Sequence, residues 1–550
     1  MTTIDPTSDA VGHAGDRSDD VAAADSRAEL LLAGIADWLT STDHKRIGRL
    51  FLGGGFIGLL ATAIVNIVLG IERGDIATVD GDAIAQLLDA QRVGLVFGTL
   101  LPLSLGLCIA VVPLQLGARS LAFPRLAATG FWMWVGGLVF SVIALVNDGG
   151  GLGGDADMVD LFIASHGLMA IGLTAAAGSI ATSVLTTRAP GMTMRRVPFF
   201  SMSALITALG LLLVMPVLLG TLTYLFLDHR NARTGFGGNT GIYEWALWVF
   251  TQPTTFLFAI PAIGVLAEGA PLLFRLRTPA RGVMFAGLGL IGVAAFTGVA
   301  QQSVHNLPWA GSDLYIGGGD DLRDKLADAV PWAMFNLLPL LGLVVVVLMS
   351  LFLAKPVKGA RPNLSPAFAF GFLGAGMVLM GMLGTALFAI DDLALQGTVF
   401  EEGALIYVTY GAALGIMGGV AFWAPKLWGR TLPAGQLLPL AGLGLIATVL
   451  ASLPSYVEGF DTSRDIYSIA VLAGHVLMAL TALAFVALLA TTLRNDDADH
   501  ADDPYDAQTL EWTTPSPAPH GNFVDVPTVM SAEPLLDIKP TASTTTGSDA

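Results

Sequence analysis

Imidazole nitrogens are the first groups to look for in this chain, because they ligate metals and carry protons near neutral pH. There are eight His among 550 residues. His13, His500 and His520 fall in polar tails, His44 in the triplet Asp43-His44-Lys45, and His229 in a loop. Only His166, His305 and His475 lie in or near apolar runs. An ionisable group there is a functional candidate, although a lone His near a helix end more often closes a local hydrogen bond. The single Cys108 sits inside an apolar run, which excludes a disulfide framework and a thiolate metal site. The stretch Trp248 to Pro271, WVFTQPTTFLFAIPAIGVLAEGAP, carries one unusual polar side chain, Gln252. Glu268 near its end reads as structural or interfacial, and Glu401 and Glu402 read as solvated.

The elements that hold these groups are membrane helices. The chain is 54% hydrophobic and 13% charged, against about 25% charged in ordinary domains. Twelve apolar runs of spanning length are expected near 48–72, 94–115, 128–147, 159–187, 198–227, 244–272, 283–305, 328–354, 366–390, 402–425, 436–454 and 465–493. None shows the alternation of a barrel strand, so the fold class is an all-α integral membrane bundle.

Loop charges support this count. Even-numbered loops contain Arg119, Arg125, Arg188, Arg195, Arg196, Arg275, Arg277, Arg281, Lys355, Lys358, Arg361, Lys426 and Arg430, with no acid. Odd-numbered loops carry Asp75, Asp80, Asp155, Glu401, Glu458 and other acids. The positive-inside rule then puts the even loops and both termini in the cytoplasm. The net charge of −17 resides largely in the tails and odd loops, and no basic run suggests nucleic acid. Residues 1–35 are expected to be a disordered acidic tail with the start of an interfacial amphipathic helix (Arg27 to Thr40), 36–494 the membrane domain, and 495–550 a cytoplasmic tail.

Five segments carry a resemblance. WLTSTDHKRIGRLFL opens the first span and PLQLGARSLAFPRL follows the second. RAPGMTMRRVPFF links spans four and five, WAPKLWGR follows span ten, and TLEWTTPSPAPHGNFVDVP lies in the tail. Together with the Trp248–Pro271 stretch they resemble subunit I of the haem–copper oxidases, from about Trp38 to Asp537. The resemblance implies a twelve-helix bundle in three pseudo-symmetric arcs.

It also implies six His ligands for two haems and one copper, and none stands at its position. The corresponding positions are Gln91, Gln252, Gln301, Gln302, Ala404 and Ile406, the last two uncertain by one residue. The family's haem-propionate Arg pair corresponds to Ser455-Tyr456 and its haem-facing Arg to Gly70. Its proton-channel groups correspond to Ser120, Ala127 and a position near Ala333, and its His-Asp pair to Gln396-Gly397. If the fold is kept, Gln91, Gln252, Gln301 and Gln302 converge as a polar core network, since buried amides must find partners. Phe256, Trp332, Phe335, Trp423 and Tyr456 are candidates to fill the vacated space.

The expectation is therefore a subunit I-like protein of the bacterial-type plasma membrane with no haem, no copper and no catalytic residue. It would serve as scaffold or accessory subunit beside subunit II- or III-like partners of an aerobic respiratory complex. Two alternatives stay open. One is an active terminal oxidase that ligates through His166, His305 or His475. The other is a channel or transporter with a Gln-lined core.

Overall fold

The computed structural model describes residues 34, 36–38, 40–76, 78, 80–233, 246–250, 253–299, 330–390, 393–395, 397–461, 466–495 and 501–538. Two compact units are present, Met1–Thr42 and Asp43–Ala550. In the first, Gly34 and Ala36–Trp38 are helical, and Trp38 is exposed. The second holds the membrane bundle.

Among the described residues, twelve helices are long and apolar enough to cross a membrane. They are α1 (His44–Arg73), α2 (Ala83–Gln115), α3 (Pro124–Val146), α4 (Ala156–Thr186), α5 (Phe199–Arg230) and α6 (Thr254–Phe274). The others are α7 (Arg281–Val299), α8 (Val330–Leu353), α9 (Pro366–Phe388), α10 (Val399–Trp428), α11 (Ala434–Glu458) and α12 (Ile466–Arg494). Consecutive helices pack as neighbours around most of the ring, and α12 returns to pack on α1. The most apolar windows of α2, α6 and α10 are completely buried, whereas the other nine expose part of theirs. These three form the centre, and the exposed Leu, Ile and Val side chains of the rest make the lipid-facing surface.

Several boundaries differ from the hydropathy reading. Helix α2 starts at Ala83, not near 94, because its first turns are polar and bond to the loop after α3. Gln86 there donates to Asp148 at 2.6 Å, and buried Asp89 accepts the Leu152 N–H at 3.2 Å. Helix α6 starts only at Thr254, after Pro253, whose ring removes a backbone donor. His229 is not in a loop but in the last turn of α5, 2.7 Å from Asp160.

Close packing of α1 on α2 depends on glycine. A Cβ on Gly58 would stand 1.9 Å from the Gly98 carbonyl oxygen. A small-residue seam of this kind lets two membrane helices approach backbone to backbone. Gly98 lies in a π-helical segment, Gly94–Leu100, that interrupts α2 just after Gln91.

Candidate functional site

The first buried polar cluster lies where α1, α2, α10 and α12 meet. Gln91 of α2 is 3% exposed, and its Nε2 donates to Glu402 Oε1 at 2.6 Å. The other oxygen of Glu402 pairs with Arg73 Nη2 of α1 at 2.5 Å. Two turns along α10 from Glu402, Tyr410 accepts a hydrogen bond from Asn66 Nδ2 at 3.2 Å. Tyr410 also shares a 3.0 Å hydrogen bond with His475 Nδ1 of α12. Glu402, Ile406 and Tyr410 are spaced i, i+4, i+8 and so lie along one face of α10. A carboxylate thus stands one turn to one side of Ile406 and a phenol one turn to the other.

This corrects the expectation for the two glutamates. Glu402 is not simply solvated: its side chain is 16% exposed and bonded on both oxygens, and Glu401 is buried as well. Among the described residues Gln91 bonds Glu402, which is paired with Arg73. Gln252, Gln301, Gln302, Gln396 and His305 lie outside the described residues.

Beside this cluster an aromatic group fills the interior. Tyr456 stacks on Phe400 with ring centroids 4.2 Å apart and packs on Tyr407 at 5.3 Å. Its hydroxyl donates to the Met380 carbonyl at 3.0 Å. Phe388 and Ala404 belong to the same cluster, with Trp332 against it. Ile406 instead belongs to the main core, so the two positions on α10 face different surroundings. Gly70 packs against Leu472, which leaves a side chain there little room. Of the other large residues, Phe256 and Phe335 are buried, whereas Trp423 points to the tail.

His166 is buried among Phe97, Phe162 and Phe250, with Nδ1 bonded to the Phe162 carbonyl at 2.8 Å. Its Nε2 has no partner among the described residues. His166 and His475 therefore sit in separate settings. Among the described residues no group of three or more His, Cys, Asp or Glu is arranged to hold a metal ion.

A second cluster lies at the opposite end of the bundle, the end bearing the even-numbered loops. Gln115 of the PLQLGA segment accepts hydrogen bonds at Oε1 from the Ser201 N–H (3.1 Å) and hydroxyl (2.7 Å). Its Nε2 donates to Glu511 Oε1 at 3.2 Å. Trp423 Nε1 and the Thr509 hydroxyl donate to the same oxygen at 3.1 and 2.9 Å. Burial raises the Glu511 carboxyl above its ordinary range, against the three donors that lower it. Glu268 Oε2 accepts the Phe200 N–H at 3.1 Å and so caps α5, which has no cap of its own. That is the structural role expected of it.

The tail continues across this end. Asn522 Oδ1 accepts from Lys45 Nζ at 3.0 Å, and Asn522 Nδ2 donates to the Ala118 carbonyl at 2.8 Å. His44, 1% exposed, bonds the same Asn522 side chain and the Ile109 carbonyl. The Val529 N–H donates to the Pro190 carbonyl at 2.8 Å, and Arg281 pairs with Glu533 at 3.0 Å. Lys426, fully buried, donates to the Thr514 carbonyl. All five segments that carry the sequence resemblance therefore bond to one another in one floor.

The sequence model of the family "Cytochrome C and Quinol oxidase polypeptide I" matches residues 46–513. The chain is 28% identical over 539 residues to cytochrome c oxidase subunit 1 of Bacillus subtilis (strain 168), covering 91% of this chain and 82% of that one. It is 25% identical to cytochrome bo(3) ubiquinol oxidase subunit 1 of Buchnera aphidicola subsp. Schizaphis graminum (strain Sg), covering 92% and 79%. A solved haem–copper terminal oxidase dimer superimposes with a TM-score of 0.60 at 13% identity, covering 86% of each chain.

Proposed function

We propose, from the premise that this chain belongs to the cytochrome c and quinol oxidase polypeptide I family, that it is a haem- and copper-free member. In this reading it works as a scaffold or accessory subunit of a respiratory oxidase assembly. The observation that carries the proposal is the state of Gln91. Haem iron is held in proteins by imidazole, thiolate, thioether or phenolate. At Gln91 there is an amide whose nitrogen is engaged by Glu402, itself paired with Arg73. That donor set does not fit a haem iron, and the aromatic cluster around Tyr456 supports the same reading for the Ser455-Tyr456 positions.

Partners of the subunit II or III kind are proposed from family membership. The retained motifs bond to one another through buried side chains such as Gln115, Glu511 and Asn522, and they also present exposed ones such as Phe123, Arg125 and Val524. The end bearing the even-numbered loops is proposed to be cytoplasmic, by the excess of Arg and Lys there.

The test is a reduced-minus-oxidised visible spectrum of the purified protein with iron and copper counted per chain. The expected result is no haem band and no stoichiometric metal. A haem signal near one per chain overturns the proposal. Affinity purification from native membranes with mass spectrometry is expected to recover oxidase subunits, and their absence removes the accessory role.

A further inference from the structure

A cavity of about 570 Å³ opens at the end of the bundle bearing the even-numbered loops, between the first turns of α9 and α11, the last turns of α12 and the tail. It is distinct from both polar clusters described above. Its volume is that of a small-molecule site, roughly 300–1,000 Å³.

The lining divides into two parts. Phe370, Leu437 and Leu488 are buried apolar residues along its floor and walls. Leu364 and Leu438 also line it and are 47% and 43% exposed, so the cavity is continuous with the surface that the helices present to lipid. The polar part consists of hydroxyls and amides, among them Thr431, Gln436, Thr492 and Asn495, which can donate hydrogen bonds. The Thr431 hydroxyl is buried and has no hydrogen-bond partner among the described residues. Helix α11 begins against the cavity at Ala434, after Pro433, and no side chain caps its first turn. Unpaired N–H groups and the helix dipole favour an anion there. Arg494, exposed in the last turn of α12, adjoins the lining residue Asn495. No carboxylate is among the lining residues. Asp503, next to lining Pro504, accepts from the Ala507 N–H at 3.0 Å.

Apolar walls open to lipid, and an uncharged polar end without carboxylates at the level where membrane helices terminate, holding an unpartnered hydroxyl and a helix N-terminus, match one chemistry. We propose that this cavity binds one phospholipid, with its phosphate at Thr431 and the first turn of α11 and an acyl chain over Phe370, Leu437 and Leu488. A bare anion would leave the apolar floor uncovered, and a neutral glyceride would offer acceptor oxygens without the negative charge that the helix terminus favours.

The experiment is native mass spectrometry of the full chain in detergent after equilibration with dioleoyl phosphatidylglycerol, with dioleoylglycerol, or with glycerol 3-phosphate. One phosphatidylglycerol per chain is expected, with each of the other two retained about tenfold less, the scale of a charge-assisted hydrogen bond or more. Ala434→Trp, which fills the mouth, is expected to lower retention about tenfold, and Thr431→Val several-fold. Equal retention of dioleoylglycerol overturns the phosphate site, and equal binding of glycerol 3-phosphate overturns the lipid. Unchanged retention in Ala434→Trp places bound lipid elsewhere and overturns the proposal. If that variant does not fold, Leu438→Trp at the exposed edge of the lining decides: a several-fold loss of phosphatidylglycerol supports the site, and no change counts against it.

Discussion

At the scale of residues, Glu402 is the side chain on which most turns. It bonds Arg73 and Gln91 from two other helices, and each depends on it. Removing one partner of a buried ion pair costs about 3–5 kcal/mol, because the other charge is left uncompensated. Both side chains here are partly exposed, at 27% for Arg73 and 16% for Glu402, so the loss expected for Glu402→Ala is smaller, about 2 kcal/mol. The double variant Arg73→Met/Glu402→Leu is expected to recover most of it. Unfolding of the single and double variants in detergent, read against wild type, checks both. A double variant no more stable than Glu402→Ala would show that the pair is not the source of the loss. The sign of this pair could have been read from the sequence. Arg73 closes the first span and Glu402 opens the tenth, which puts opposite charges at the same end of the bundle.

At the scale of elements, the tail and the even-numbered loops act together. Glu511 receives three donors on one oxygen while its other oxygen has no partner among the described residues. Its carboxyl is held above the ordinary value of 4.5 by burial, so the docked tail binds more protons than the free one. Docking is therefore expected to be strongest at acid pH and to weaken as pH rises from about 4.5 through the raised value. Amide hydrogen exchange of residues 505–530, corrected for intrinsic rates, reads this directly. Glu511→Gln is expected to flatten the profile, and an unchanged profile in that variant would assign the dependence elsewhere. Asp537 acts in the opposite sense. Ser531 and Arg277 lower its carboxyl below the usual range, so its small contribution is lost only as pH falls through that region. Gln115→Leu removes the group that joins α2, α5 and the tail, strands the Ser201 N–H and takes one of its three donors from Glu511. A loss of about 2–3 kcal/mol is expected from the donors and acceptors left unpaired, measured as a lower denaturation midpoint with the tail more open to protease.

At the scale of the whole molecule, three helices form the centre, and the resemblance assigned four of its six ligand positions to them or to their edges. Gln91 lies in α2, Ala404 and Ile406 in α10, and Gln252 just before α6. The family's architecture is kept, and the interior around α10 holds an ion pair, a hydrogen-bonded phenol and a stack of aromatic rings. The orientation proposed for the bundle is testable in intact cells. A Cys introduced at exposed Arg430-flanking Gly435 is expected to react with a membrane-impermeant maleimide only after lysis, and one at Asp75 before it. The reverse pattern would invert the assignment.

What the sequence determined by itself was the number and type of the elements. Apolar length and loop charge are local properties, and a bilayer leaves a helix as the only open chain segment that satisfies its own backbone. The motifs identified the family for the same reason, since each is contiguous. What only the tertiary structure decided was pairing. Arg73 and Glu402 are far apart in the chain, as are Gln115 and Glu511, or His44 and Asn522. Each looked like an isolated polar residue at a membrane edge, because hydropathy counts a charge as solvated unless its partner is known. The start of α2 was misplaced for this reason, and so was the environment of Glu402. A buried polar group is tolerated only with its partner, and which partner arrives depends on how twelve helices pack, which no single stretch of sequence contains.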